Sequence, residues 1–178
     1  AALENYDRNF ELGDKTKSVK EFKTKPTEYG PNRALSKNPF IKKIVEDFQD
    51  KFGGDYERLS EVFIWDSGLK LCGSIDRLMV VDRKKKIVRI QDFKTDGDIH
   101  EKKYQLSDSP FKDKMGNELL DYHWLQLSFY AFLLEIKGYT IDGLDIYWLN
   151  PSKLCKGENA WEEFSSKPID IREVIING

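Results

Sequence analysis

Apolar residues recur along this chain with two different spacings, and the spacing assigns the elements. Phe40, Ile41, Ile44, Val45, Phe48 and Phe52 follow a helical repeat. Asn38-Pro39 ahead of them offers a capping side chain and a proline suited to the first helical position, and Gly53-Gly54 closes the run. Glu61–Trp65, Leu69–Asp82 and Ile87–Lys94 are β-type runs. They are separated by Asp66-Ser67-Gly68 and by the basic turn Arg83-Lys84-Lys85-Lys86, so they predict an antiparallel meander. Glu118–Lys137 is a second helix, with Leu125, Phe129, Phe132, Leu133 and Ile136 as its buried stripe and Gly138 as its stop. Leu144–Leu149 reads as a further strand, halted by Asn150-Pro151, while Phe164 and Ile169–Ile176 fit strand or helix.

Composition narrows the class. At 178 residues, 39% hydrophobic and 13% aromatic, the chain supports one domain with a real core. No apolar run is long enough to cross a bilayer, so no membrane partner is expected. Two distant cysteines, Cys72 and Cys155, fit no metal spacing and read as free thiols of a cytoplasmic protein. With two histidines, His100 and His123, a His-rich zinc site is nearly excluded, and both read as ordinary surface or core residues. A net charge of −2 does not advertise nucleic-acid binding, yet lysines gathered on one face would suffice for it.

Two regions fall outside the regular pattern. Residues 1–36 form a polar lead-in, with Lys15, Lys17, Lys20, Lys23 and Lys25 among Phe10, Phe22 and Tyr29. It reads as a solvated arm, or as a basic strip that touches phosphates. Residues 37–178 form the single domain. Inside it, the polar stretch from Thr95 to about Asn117 either binds or covers something, or is a disordered excursion.

The chemistry lies on two of the strands. Asp76 interrupts Gly73-Ser74-Ile75-Asp76, and Asp92 and Lys94 end Ile90-Gln91-Asp92-Phe93-Lys94-Thr95. Asp92 and Lys94 share a face with Val88 and Ile90, because strand side chains alternate. Charge on an apolar face is costly unless it is paired, metal-bound or working. Two neighbouring carboxylates can hold a hard cation such as Mg²⁺ or Mn²⁺, and a lysine beside them can orient a water or meet charge building on a phosphate. A buried salt bridge joining Asp92 or Asp76 to Lys94 or Arg77 accounts for the spacing equally well. Gln126 and Tyr130, four apart on the second helix, fit either a helix-flank hydrogen-bonding pair or part of such a site.

The order of these features resembles the RecB-like branch of the PD-(D/E)xK nuclease superfamily. The residues that carry the likeness are Gly73–Asp76, Ile90–Thr95 and Gln126-Leu127-Ser128-Phe129-Tyr130, within roughly residues 38–150. The resemblance implies an α/β, restriction-endonuclease-like core: a central mixed sheet, helices on its faces, and a metal site at one edge. It implies a Mg²⁺- or Mn²⁺-dependent DNA nuclease, an exonuclease of the recombination or repair type, bacterial or phage-encoded and working with other subunits or domains. Asp76, Asp92 and the backbone carbonyl of Phe93 would be metal ligands, Lys94 the catalytic lysine, and Gln126 and Tyr130 would hold that lysine or the DNA strand in place. Many such nucleases also carry a His or Glu on a helix before the first strand. No histidine precedes His100 here, which leaves Glu61 or Glu46 as candidate substitutes. Lys84, Lys85, Lys86, Lys102 and Lys103 are candidate phosphate contacts, the first three equally a solvated turn. Two other readings stay open: a nuclease-fold module that binds DNA with impaired catalysis, and an unrelated domain in which Asp76, Asp92 and Lys94 are a core ion network.

Overall fold

The computed structural model describes residues 9–12, 38–54, 56–103 and 109–177. Apart from Asn9–Leu12, the lead-in lies outside them. Among the described residues, six strands form one mixed sheet whose spatial order follows the chain: β1 (Asn9–Leu12), β2 (Glu57–Asp66), β3 (Leu71–Asp82), β4 (Ile87–Lys94), β5 (Thr140–Leu149) and β6 (Trp161–Ser166). β2, β3 and β4 are the expected antiparallel meander. β1 adds parallel to β2, β5 runs parallel to β4, and β6 returns antiparallel to β5. The parallel step from β4 to β5 needs a crossover, and helix α2 (Leu119–Ile136) supplies it.

Helix α1 (Pro39–Phe52) starts and stops where the sequence places it. The Asn38 side chain accepts the Phe40 amide at 2.9 Å, Pro39 occupies the first turn, and Gly53 follows the last. It covers one face of the sheet through Phe48, whose ring meets Phe93, Tyr147 and Trp161 edge-on at 5.3, 5.0 and 5.1 Å. Its Glu46 faces solvent beside Lys42.

Helix α2 covers the other face, and the expected stripe divides between two contacts, with only Leu133 of it on the sheet. Leu127, Ala131, Leu133 and Leu134 meet the sheet. Leu125, Phe129, Phe132 and Ile136 instead pack beneath Phe111 and the C-terminal segment around Ile171. The helix is sandwiched, so two apolar faces are needed where a surface helix needs one. The stretch after β4 contributes to this packing as well: Ile99 is fully buried and Phe111 nearly so.

Asn150-Pro151 halts β5 by opening a short helix, α3 (Pro151–Cys155), which Asn150 caps. Phe164 lies in β6, and part of Ile169–Ile176 forms helix α4 (Arg172–Asn177). Both cysteines are free and exposed. Among the described residues, no helix is long and apolar enough to cross a membrane.

Candidate active site

The site begins with a fork in the sheet. The β3–β4 ladder runs from Asp82↔Ile87 to Arg77↔Gln91 and ends there. Beyond that point β3 stays with β2 as far as Leu71↔Asp66, while β4 stays with β5 as far as Lys94↔Trp148. Asp76 and Asp92 are the next residues past the last rung. They therefore lie at a split between the two middle strands, and not at the sheet edge that the sequence reading expected.

A slip in the strand alternation puts Asp76 there. Leu59 and Val62 on β2, and Ile75 and Leu78 on β3, all join one buried core although each pair is three residues apart. Regular alternation would send the members of each pair to opposite faces. Between them, Glu61 takes a left-handed backbone with φ 50°, and the β1–β2 register shifts at the same place. A non-glycine residue in that region is strained, and the strain is held by the surrounding ladder.

At the fork the carboxylate of Asp76 reaches β4, where its Oδ2 accepts the Phe93 amide at 3.1 Å. Asp92 is 3% exposed, and its Oδ2 sits 2.7 Å from Nζ of Lys94. That contact brings opposite charges together without the direction of a hydrogen bond, so the buried Oδ2 has no hydrogen-bond donor. Lys94 Nζ donates to Oε1 of Gln126 at 3.3 Å, and Gln126 Nε2 donates to the Tyr130 hydroxyl at 3.2 Å. Asp76, Asp92, Lys94, Gln126 and Tyr130 thus form one connected cluster across β3, β4 and α2. Gly73 completes it, because a Cβ at that position would overlap the Tyr130 ring.

The electrostatics are those of a site short of positive charge. Burial, and then the charge of Asp92, push the Asp76 carboxyl up to about 7. At neutral pH the pair therefore holds a proton part of the time, the signature of two carboxylates sharing a space. Burial also pushes the Tyr130 hydroxyl up.

This donor set fits a hard divalent cation. A buried carboxylate oxygen lacks a hydrogen-bond donor, and a second carboxyl is held above its ordinary range by the first. Asp76 and Asp92 would hold the ion, with water and substrate oxygens filling the remaining positions, as magnesium prefers. Among the described residues no three carboxylate, imidazole or thiol groups converge. Glu61 and Asp76 both fall between the Ser60↔Arg77 and Val62↔Ile75 rungs, but the Glu61 carboxylate accepts the Ser74 hydroxyl at 3.1 Å.

The candidate phosphate contacts divide. Lys84, Lys85 and Lys86 occupy the β3–β4 turn, at the other end of the hairpin from the carboxylates. Six residues of strand at ~3.3 Å each put Lys86 roughly 20 Å from Asp92, and its ammonium lies over the Tyr139 ring. These three therefore do not join the carboxylate cluster. Lys102 and Lys103 belong to the segment that leads into α2: the backbone of Lys102 forms an isolated antiparallel bridge with that of Glu118, and the Lys103 side chain pairs with Glu101 at 2.8 Å.

Beside Lys94 lie His123, read from the sequence as an ordinary surface or core residue, and Asp96 and Trp148, which the sequence reading did not single out. His123 is 7% exposed, and its Nε2 lies 3.0 Å from Oδ2 of Asp96. Burial, and then the Lys94 charge, lower its pKa, so the imidazole stays neutral at pH 7. Trp148 Nε1 holds the Asp96 carbonyl at 2.7 Å. The signal was present: His123 precedes Gln126 by three and Tyr130 by seven, which is one helix face. His100, in contrast, is an exposed partner of Glu118.

No family model and no curated protein matches the chain. Among solved structures it is similar to the one described as "Crystal structure of SSO0001", with 16% sequence identity and a TM-score of 0.38. The match covers 76% of this chain and 56% of that one, so the chain spans a little over half of that protein's length.

Proposed function

We propose that this chain is a Mg²⁺- or Mn²⁺-dependent DNA nuclease with a restriction-endonuclease-like core, an exonuclease of the RecB-like type. One observation carries the reading: the three sequence motifs around Asp76, Asp92–Lys94 and Gln126–Tyr130 meet at the sheet fork in one cluster of hydrogen bonds and an ion pair. When bound, the cation lowers the pKa of a water and offsets the charge of the scissile phosphate. Asp76 and Asp92 hold it. Lys94 faces the same space, where its ammonium orients the attacking water and meets charge that builds on the phosphate oxygens. Gln126 fixes the lysine, and Tyr130 fixes Gln126. In this reading Lys102, which is exposed, is a phosphate contact of the strand.

The test is hydrolysis of labelled linear and circular DNA in Mg²⁺, Mn²⁺ or EDTA, with the wild type beside Asp92→Ala and Lys94→Ala. Cleavage that needs the metal, fails in both folded variants and spares the circle is the expected result. A second reading, a module that binds DNA without cutting it, draws on the convergence of two carboxylates and no third group among the described residues. It predicts DNA affinity retained in EDTA and no hydrolysis with any metal.

A further inference from the structure

The proposed reaction takes one proton from the attacking water, and the cluster at the fork offers no acceptor for it. Lys94 donates to Gln126 and pairs with Asp92, and an ammonium has no lone pair to give. Asp76 and Asp92 are committed to the cation. One turn before Gln126 on the same helix stands His123, 7% exposed. Its Nε2 lies 3.0 Å from Oδ2 of Asp96, the second residue after Lys94. A carboxylate only accepts, so Nε2 carries the hydrogen of the neutral ring and Nδ1 carries the lone pair. That Nδ1 is buried and has no hydrogen-bond partner. An unmet buried acceptor is costly, and this one belongs to a ring close enough to Lys94 to feel its charge.

We infer that Nδ1 of His123 opens toward the space beside Lys94 and accepts the proton of the attacking water, with Asp96 as the residue that positions the ring. The inference rests on the nuclease reading for the place of that water. In the step, one O–H bond of the water breaks and its proton passes to Nδ1, while the oxygen forms the new bond to phosphorus. The bond from phosphorus to the leaving sugar oxygen breaks. That oxygen keeps the electron pair and takes a proton from solvent. His123 is then an imidazolium, and Asp96 supplies the opposite charge that stabilises it and the bond that fixes its tautomer beforehand. Asp96 is itself anchored to β5, where Trp148 Nε1 donates to its backbone carbonyl at 2.7 Å. Its side chain is 34% exposed and gives the proton a way out to solvent. Lys94 and Asp96, from β4 and its exit, are the charged groups that bear on the ring. The burial that keeps the ring neutral suits it to the task, since only a neutral imidazole has a lone pair to offer.

The test begins with ¹⁵N NMR of the metal-free chain, where the two imidazoles are distinguished by His100→Gln. At pH 7 His123 should carry its proton on Nε2 alone, and Asp96→Asn should let the proton onto Nδ1. Cleavage of linear DNA is then followed at saturating Mn²⁺. His123→Ala should slow it at least about a hundredfold, leave Mn²⁺ affinity unchanged by calorimetry, and recover in part with added imidazole. Asp96→Asn, at a partly exposed side chain, keeps the test open if His123→Ala does not fold, and should slow cleavage at least about tenfold. A wild-type ring protonated on Nδ1, a wild-type rate in either folded variant, a loss that comes with weaker Mn²⁺ binding, or a loss that imidazole leaves in place would each overturn the inference. Those results leave the nuclease reading standing. A wild type that cuts no DNA with any metal sinks that reading, and the inference with it.

Discussion

The two faces of the sheet each bury a carboxylate, and they treat it in opposite ways. On the α1 face, Asp145 is 2% exposed and its two oxygens take bonds from four groups. Arg89 Nη2 and Ser165 Oγ, each at 2.7 Å, donate to Oδ1, and Arg89 Nε at 2.6 Å and Gln91 Nε2 at 3.2 Å donate to Oδ2. Every lone pair is met by protein, and the charge is matched by a guanidinium in a two-pronged grip. On the α2 face, Asp92 is buried just as deeply but shares one lysine with Asp76, and its Oδ2 has no hydrogen-bond donor. A buried charge that the fold completes is architecture. One that the fold leaves short has room for a ligand.

The contrast breaks most sharply under substitution. Asp92→Asn keeps the shape of the side chain and removes one of two like charges, so stability in urea should change by less than about 1 kcal/mol. Metal-dependent cleavage, by contrast, should fall at least about a thousandfold, roughly 4 kcal/mol of transition-state stabilisation. Arg89→Ala should do the reverse. It strands the Asp145 charge in the sheet and should cost about 3–5 kcal/mol in urea unfolding. If Asp92→Asn instead unfolds the chain as readily as Arg89→Ala, the α2-face cluster is a core ion network after all.

Acidity separates the faces next. The Asp76 carboxyl titrates near 7 in the folded chain and near its ordinary 3.8 when unfolded. Between those values the folded chain holds a proton that the unfolded chain has released. The stabilisation is thus complete below about pH 4 and is lost as pH rises through about 7. In EDTA the wild type should lose roughly 2 kcal/mol more than Asp76→Asn across that window, a figure reduced for the partial exposure of the group. Thermal melts of the two proteins from pH 4 to 8 check the difference.

The smallest effect concerns positioning. A methyl on Gly73 overlaps the Tyr130 ring, so Gly73→Ala should cost about 1–2 kcal/mol of stability. By moving Tyr130 and Gln126 it should also slow cleavage about tenfold, while leaving metal affinity unchanged.

What the sequence made legible follows the reach of each signal. Helix α1 is announced within its own turn by Asn38, Pro39 and Gly53, and β4 by an apolar run ending at Lys94. The site motifs were visible because each is local: Asp76 after Gly73, Lys94 two after Asp92, Tyr130 four after Gln126. The fork was not visible, since it depends on where the β3–β4 ladder stops and on a slip at Glu61, both set by pairing between distant segments. Nor was the Arg89–Asp145 grip, whose partners are far apart in sequence and meet only because β5 lies beside β4. The distance of Lys84–Lys86 from the carboxylates was legible as well. A turn joining two strands lies at the opposite end from residues near the strand exit, and hairpin arithmetic says so without a structure.

The central claim is that Asp76 and Asp92 are left short of partners to hold a cation, and calorimetric titration of Mn²⁺ into the metal-free chain tests it most directly. At pH 8 the account predicts one ion per chain, bound by the wild type and not by folded Asp92→Asn. At pH 6 it predicts weaker binding with protons released to the buffer, because the ion must displace the proton that Asp76 then carries. Binding that survives Asp92→Asn unchanged, or no binding at either pH, would contradict it.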